Sequence, residues 1–475
     1  MESLQNFVYN ILWGMPLVVL ILAIGIYFLF VTRFFQFRYF GYVLKQTWAK
    51  FSKKDENGKE KGSVSGFEAL SLSLGTTVGV GNIAGVASAI ALGGPGAVFW
   101  MWISGIIGQT IKMAEISLAV HYRSKDVNGN PYGGPTYYMR KGLGKMKNMN
   151  LIYKILVFIF IFGFSTGFFI TIQNYTITEA ISSTFNWNMI TVSAIFTILL
   201  YLMICGGVPG LAKIAAKLVP FMCLFYIAGG LIIILKNISY FPETLRLIFN
   251  GAFNGTAALG GFAGAAFAQV VKSGMARAVY SNEAGWGSSP MTHAYAKVDH
   301  PIRQGLLGIF EVFTDTIIIC SITSFVIIIT GQWSSGLSGA TLTLSAFEVG
   351  IGRWGRVIMA LGILTFGITT SSGLYAQIAV LVRYLLGEKN KNQDKILNFY
   401  KWIYPIPGFL LVVFAVAKKM PGDMVWLLID MTTALPIFAN ILALVILTPK
   451  FLSLLKDYKA RHMGIGEVDP HFKIF

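Results

Sequence analysis

The stretch Gly75-Thr76-Thr77-Val78-Gly79-Val80-Gly81-Asn82-Ile83-Ala84-Gly85 lies in the middle of an apolar segment long enough to cross a membrane. Four glycines, two threonines and an asparagine are poor material for a lipid-facing helix, since each glycine costs roughly 1 kcal/mol against alanine. They suit a helix that opens at midplane, where bare backbone survives only if it is buried in protein or lines a cavity. The two broken ends would carry opposite partial charges. At the end of the first half, Gly75, Thr76 and Val78 offer neutral oxygens, which suit Na+ better than a transition metal that would ask for His or Cys. The second half opens near Gly81-Asn82-Ile83 and offers N–H groups to a carboxylate. Thr77, Gly79, Gly81 and Asn82 are therefore candidate substrate contacts. The competing account of Gly79, Gly81 and Gly85 is close packing of small residues against another helix.

Other polar groups recur at membrane depth. The run Thr365-Phe366-Gly367-Ile368-Thr369-Thr370-Ser371-Ser372-Gly373 either back-bonds to its own helix or lends adjacent hydroxyls, Thr369 and Thr370, to a cation. Gln173, beside Asn174 and Tyr175, sets a neutral amide well inside another apolar run, for a substrate or for a neighbouring helix. Gly260-Gly261-Phe262-Ala263-Gly264 interrupts a later run. Lys112, Glu115, Glu179, Glu311, Asp315 and Asp430 fall in or near apolar runs, where charge is a functional candidate by default. The i,i+3 spacing of Lys112 and Glu115 predicts an ion pair, and Asp315 is a candidate proton or cation group. The histidines (His121, His293, His300, His462, His471) map to ends of runs, loops or the tail, which excludes a bis-His haem within the bilayer. No P-loop or zinc-protease pattern occurs, so an enzyme is not expected. Cys205, Cys223 and Cys320 read as small hydrophobes.

These residues need elements to hold them. The chain has 475 residues, 55% hydrophobic and 12% charged, about half the charge of a soluble domain. Apolar runs recur near 8–32, 66–92, 97–122, 151–181, 188–206, 218–236, 256–276, 305–331, 355–383, 402–417 and 424–448. This is an all-α polytopic membrane protein of about eleven transmembrane helices. The first run is too long, and lacks the basic flank, for a cleaved signal. The net charge of +17 sits in short connections, as orientation determinants do, not along a face with stacking aromatics, so no nucleic-acid partner is expected. The Lys/Arg-rich connections alternate: 33–62, 123–147, 207–217, 272–303, 383–401 and the tail after Lys450. That predicts a multi-pass protein of the cell membrane with its N-terminus outside and its C-terminus cytoplasmic. The expected organisation is an N-terminal helix with a basic connection (1–62), a five-helix repeat (63–236), a second, inverted five-helix repeat (237–449) and a cytoplasmic tail (450–475). Each repeat opens on a glycine-rich segment, and interrupted segments at matching positions point to a transporter's midplane site.

Taken together, these stretches closely resemble the alanine/glycine:cation symporter family, also called sodium:alanine symporters or amino acid carrier proteins. The matching blocks are Gly81-Asn82-Ile83-Ala84-Gly85-Val86, Gly93-Gly94-Pro95-Gly96-Ala97-Val98-Phe99-Trp100-Met101-Trp102, and Gly133-Gly134-Pro135-Thr136-Tyr137-Tyr138. They continue in Gly260-Gly261-Phe262-Ala263-Gly264, Arg277, Ser281-Asn282-Glu283-Ala284-Gly285 and His300-Pro301-Ile302-Arg303-Gln304-Gly305. The resemblance implies a leucine-transporter-type fold, a 5+5 inverted repeat with an extra N-terminal helix. It also implies alternating-access uptake of a small neutral amino acid, with Na+ as the coupling ion. The substrate backbone would lie at the broken helices, against Gly260, Gly261 and Phe262 as well as the first break, and Gln173 matches a family glutamine beside the substrate. Thr369-Thr370 falls where the family usually has Ser-Thr at its sodium site. Two departures stand out: Leu374 replaces a usual Trp, and Ile170-Thr171-Ile172-Gln173-Asn174-Tyr175 replaces Asn-Met-Val-Gln-Ala-Asn. Both imply a pocket that accepts something larger than alanine, such as glutamine. Proton coupling through Asp315 or Glu311 is the same-class rival; an ion channel, built from rings of like groups, is the rival from another class.

Overall fold

A computed structural model of the chain describes residues 11–52, 64–126, 129–169, 171–254, 263–388, 390–420 and 422–475. With no water in a bilayer core, each segment must satisfy its own backbone, so helices dominate. Among the described residues, Ser124–Lys125 and Pro131–Tyr132 form a small antiparallel strand pair, with Ser124 opposite Tyr132.

Helix α1 (Met15–Val31) and α2 (Phe40–Ser52) precede the first interrupted helix. That helix begins as α3 (Gly66–Thr77), nucleated by a capping box in which Glu68 N–H donates to Ser65 Oγ at 3.1 Å and Ser65 N–H donates to Glu68 Oε2 at 2.9 Å. It stops at Val78, where ψ is 90°, and resumes as a π-helical turn, Gly81–Gly85, running into α4 (Val86–Gly93). Then come α5 (Ala97–His121), α6 (Asn150–Phe169), α7 (Ile172–Phe185), α8 (Met189–Ile204) and α9 (Gly207–Lys236). The later part comprises α10 (Phe241–Asn254), α11 (Ala263–Asn282), α12 (Ser289–His293) and α13 (Pro301–Ile329), whose middle, Phe313–Cys320, is π-helical. It ends with α14 (Gly339–Ile351), α15 (Arg353–Leu386), α16 (Gln393–Ile403), α17 (Ile406–Ala417) and α18 (Gly422–Met463).

The layering is by polarity. The most apolar windows of Gly66–Gly93 and Ala97–His121 are 94% and 89% buried, whereas those of Gly207–Lys236 and Gln393–Ala417 are only 39% and 33% buried. The glycine- and threonine-rich helices thus form the centre, and the Leu/Ile/Phe-rich ones face outward. Lipid tails are as apolar as leucine, so small and polar residues, not oil, bring helices together here.

Several expectations need correction. The predicted i,i+3 pair does not form: Lys112 Nζ lies 3.3 Å from Glu311 Oε1 and donates to the Asn282 carbonyl at 2.6 Å. Glu115 instead accepts from Gly285 N–H (2.7 Å) and Asn440 Nδ2 (2.8 Å), because α5 is buried on all sides and its charged side chains reach across to other helices. The predicted polar connection after 276 is not solvated: α11 runs to Asn282, and residues 281–296 are buried. His293, read as a loop histidine, is fully buried and bonded through Nε2 to Glu311 Oε2 at 2.8 Å. Helix α14 was not expected as an element; it packs on the first break, where Thr343 Oγ1 donates to the Ile83 carbonyl at 3.1 Å.

Candidate functional site

The first break is held open by hydroxyls from other helices. Thr323 Oγ1 donates to the Asn82 carbonyl at 2.8 Å, and Thr343 does the same for Ile83. These bonds satisfy backbone groups that the π-helical turn would otherwise leave bare. The side chain of Asn82 turns away from the cavity beside the break, against expectation. Its Oδ1 accepts Gly79 N–H at 2.8 Å, and its Nδ2 donates to Asp315 Oδ1 at 2.6 Å. Gly79 therefore has its N–H occupied, and the strongest acceptor in reach, a buried carboxylate, takes the amide.

Helix α15 passes close against this break. Thr370 Oγ1 donates to the Gly75 carbonyl at 3.3 Å. A Cβ on Gly75 would lie 3.2 Å from Thr369 Cβ, and one on Gly79 would lie 2.0 Å from Thr370 Oγ1. Gly75, Gly79, Thr369 and Thr370, far apart in sequence, are thus neighbours. Thr76 Oγ1 and Thr77 Oγ1 donate back to Leu72 O (2.9 Å) and Leu74 O (3.2 Å), and Thr369 Oγ1 donates to Phe366 O at 2.9 Å. Each hydroxyl oxygen keeps lone pairs for a cation.

Beside the break lies a small cavity of about 10 Å³, lined in part by Thr76, Thr77, Gly81, Gln173, Thr370 and Leu374. That is room for about one water, so an amino acid enters only when the walls part. Tyr280, Glu283 and Trp286 line it too, and sequence reasoning assigned them no role. Tyr280 lies at the end of α11, and Glu283 and Trp286 belong to a second interruption, between Asn282 and Ser289, whose backbone takes positive φ at Glu283 (56°), Gly285 (85°) and Gly287 (83°). A buried non-glycine residue in that region marks a strained turn. The second break was expected at Gly260–Gly264; Gly260, Gly261 and Phe262 lie outside the described residues. The available signal was the polar run Ser281-Asn282-Glu283 before two glycines, which served only as a family mark.

Two residues lining this cavity carry a buried polar atom with no hydrogen-bond partner among the described residues: Gln173 Oε1, an acceptor, and Trp286 Nε1, a donor. Gln173 sits in the first turn of α7, just after an extended residue, Thr171 (φ −98°, ψ 104°), and its Nε2 reaches Tyr280 Oη at 3.4 Å. A larger cavity of about 340 Å³, bordered by Val64, Pro209, Tyr295, Tyr375, Arg383 and Lys401, continues along α15. Leu374 lines the small cavity and its neighbour Tyr375 the large one. Among the described residues no group of three or more His, Cys, Asp or Glu could hold a metal.

Comparison with known proteins gives these features a frame. The family model described as "Sodium:alanine symporter family" matches residues 1–473. The chain is 37% identical over 476 residues to a probable sodium/glutamine symporter, GlnT, of Bacillus subtilis, covering 99% of this chain and 93% of the relative. It is 34% identical over 463 residues to the sodium/alanine symporter AgcS of Methanococcus maripaludis, covering 96% and 97%. In three dimensions it resembles MhsT in complex with L-phenylalanine, with a TM-score of 0.57 at 13% identity over 82% of this chain and 92% of that one. That likeness shows the leucine-transporter-type fold of an all-helical, multi-pass chain. With a match that runs nearly end to end, this chain belongs to the sodium:alanine symporter family, whose members are Na+-coupled amino-acid carriers and not enzymes.

Proposed function

We propose that this protein couples inward movement of Na+ to uptake of a neutral amino acid that includes side chains larger than alanine, glutamine among them. The observation that carries this reading is the pair Gln173 Oε1 and Trp286 Nε1, both buried and unpartnered at one cavity between the two breaks. A buried unsatisfied polar group costs about 1–3 kcal/mol, and a zwitterion answers both, its ammonium to the glutamine oxygen and its carboxylate to the indole N–H. Thr76, Thr77 and Gly81 complete the floor, and Leu374, where the family carries a tryptophan, leaves width for a longer side chain.

Na+ would sit where the carbonyls of Gly75, Thr76 and Val78 meet Thr369 and Thr370. One cation moving through about 100 mV supplies ~2.3 kcal/mol, a roughly fifty-fold gradient of a neutral solute. Alternating access would rock one five-helix repeat (63–236) and its inverted partner (237–449) around the fixed site. The N-terminus would lie outside and the 450–475 tail in the cytoplasm. The 340 Å³ cavity would then be the release path, since it borders the basic connections.

The test is uptake of radiolabelled amino acids into proteoliposomes under an imposed Na+ gradient. Uptake should collapse when choline replaces Na+ at constant pH; undiminished uptake overturns sodium coupling. Unlabelled glutamine, serine and alanine should compete, and competition by glycine alone overturns the wider pocket.

A further inference from the structure

Asp315 is fully buried in the π-helical middle of α13, and among the described residues every group bonded to it is neutral. Asn82 Nδ2 lies 2.6 Å from Oδ1, Ser281 Oγ lies 3.0 and 3.2 Å from the two oxygens, and Thr316 Oγ1 lies 2.8 Å from Oδ2. Two other carboxylates in this core, Asp430 and Glu311, are paired directly with a cation. Arg277 grips Asp430 with two bonds of 2.7 and 2.8 Å, and Lys112 pairs with Glu311. The charged and titratable groups facing Asp315 are Lys112 from α5, already engaged by Glu311, and the thiols of Cys320 and Cys223. Lys112 also lies near Glu115 and Glu283, where it is the leading neighbouring charge. Asp315 is left with dipoles alone, and an uncompensated charge in a low-dielectric core is costly unless a cation or proton neutralises it.

Its position is as telling as its charge. Asn82 belongs to the turn that follows the first break, and Ser281 lies just ahead of the second. One carboxylate therefore ties both interrupted helices together, and its charge state is felt at both.

We propose that Asp315 takes up one monovalent cation, Na+ or a proton, as a second charge beside the one proposed at Gly75 and Thr369–Thr370. If the cation is Na+, it inserts between the carboxylate and Ser281 Oγ, with the Asn82 amide turning its oxygen inward. If it is a proton, an O–H bond forms on Asp315, one donor turns away, and the proton leaves to the opposite solution when the site reopens. Either loading weakens the Asn82 and Ser281 bonds and frees the two breaks to move relative to α13. Per-cycle charge movement rests on the symport reading; cation uptake by Asp315 does not.

The test uses the purified full-length protein in two formats. In detergent, the melting temperature is followed against NaCl with choline balance, and against pH from 8 to 6 in choline, for the wild type, D315N and the double variant T369A/T370A. A cation that binds the folded state raises the melting temperature by mass action. The double variant should keep the part of the cation-dependent rise that D315N loses, and D315N should keep only the Na+-dependent part due to Gly75 and Thr369–Thr370. A rise with NaCl at constant pH identifies Na+, and a rise on acidification in choline identifies the proton. In proteoliposomes, each charge carried adds about fifty-fold to the limiting accumulation ratio per 100 mV, so D315N should lose one such factor. If D315N does not fold, S281A serves: it keeps the carboxylate and should displace the Na+ or pH midpoint. The proposal is overturned if D315N keeps the wild-type response to Na+ and pH, if its accumulation has the wild-type voltage dependence, or if S281A leaves both midpoints unmoved. A wild type that shows no Na+-driven uptake but keeps the Asp315-dependent rise sinks symport and supports the cation site.

Discussion

The Thr370 hydroxyl lies 3.3 Å from the carbonyl oxygen of Gly75 and 2.9 Å from that of Phe366 on its own helix, and so joins α15 to the last turn of α3 across 295 residues of sequence. The bond brings a hydroxyl oxygen and a helix-end carbonyl to one point, with Thr369 adjacent. A cation arriving there needs only the hydroxyl proton to swing aside, so the shell is assembled in advance and its strength depends on that hydroxyl.

Thr370→Val keeps the shape of the side chain and removes the oxygen. Half-maximal Na+ for uptake should rise at least about tenfold, which corresponds to about 1.4 kcal/mol of ion binding. Thr369→Ala with Thr370→Ala should abolish the difference between Na+ and choline while the protein still folds. Initial-rate uptake against Na+ concentration checks both; an unchanged Na+ midpoint in the double variant removes these residues from the ion site.

Gly79 is required for close approach. A methyl group there would lie 2.0 Å from Thr370 Oγ1 and 3.2 Å from its Cβ, and one on Gly373 would lie 2.1 Å from Thr76 Oγ1. Either alanine substitution forces α15 away from the break and should lower uptake more than about tenfold, since overpacking a close interface costs about 1–3 kcal/mol. Gly362, on the same helix, has nothing within 4 Å of such a methyl, and Gly362→Ala should transport normally. Equal losses at all three positions would show that close contact does not govern the effect.

Leu374→Trp should narrow the central cavity that Leu374 lines. Competition by glutamine should weaken about tenfold or more relative to glycine, in line with the 1–3 kcal/mol typical of shape discrimination in a pocket. An unaltered competition series would place the substrate side chain elsewhere.

Lys112 holds the buried acid Glu311, which also accepts from Ser73 (2.9 Å) and His293 (2.8 Å). Lys112→Met leaves that charge uncompensated and should destabilise by about 3–5 kcal/mol. Lys112→Met with Glu311→Gln should recover most of the loss, as a double-mutant cycle of melting temperatures would show.

His300, in the connection ahead of α13, is buried, and that burial holds its pKa down to about 4 despite the neighbouring Asp457. The ring stays neutral: Nδ1 accepts Ile302 N–H at 3.1 Å and Nε2 donates to Asp457 Oδ2 at 3.3 Å. In the unfolded chain the same ring binds a proton near its ordinary value of 6.5. Its stabilising effect is therefore complete above 6.5 and falls away as the pH drops toward 4. Melting temperatures between pH 7.5 and 5 should fall more steeply for the wild type than for His300→Asn, which keeps a capping oxygen; parallel slopes would exclude this histidine as the cause.

How much of this was legible beforehand differs between local and long-range features. Membrane class, the long apolar spans and the first break follow from local rules, because apolar run length sets a span and clustered glycines beside threonine and asparagine disfavour a continuous helix. The Ser65–Glu68 capping box is of the same kind. So is the presence of Gly75, Thr369 and Thr370 in opened or hydroxyl-rich stretches, although their adjacency is not. What only the tertiary structure decided is which polar group answers which. Lys112 passed over the nearby Glu115 for Glu311, Asn82 turned from the cavity to Asp315, and an interruption at Glu283–Ser288 borders the cavity. The reason is physical: in a buried core the nearest acceptor in space, not in sequence, sets where a charge or an amide points, because leaving it unpaired costs more than any local preference can return.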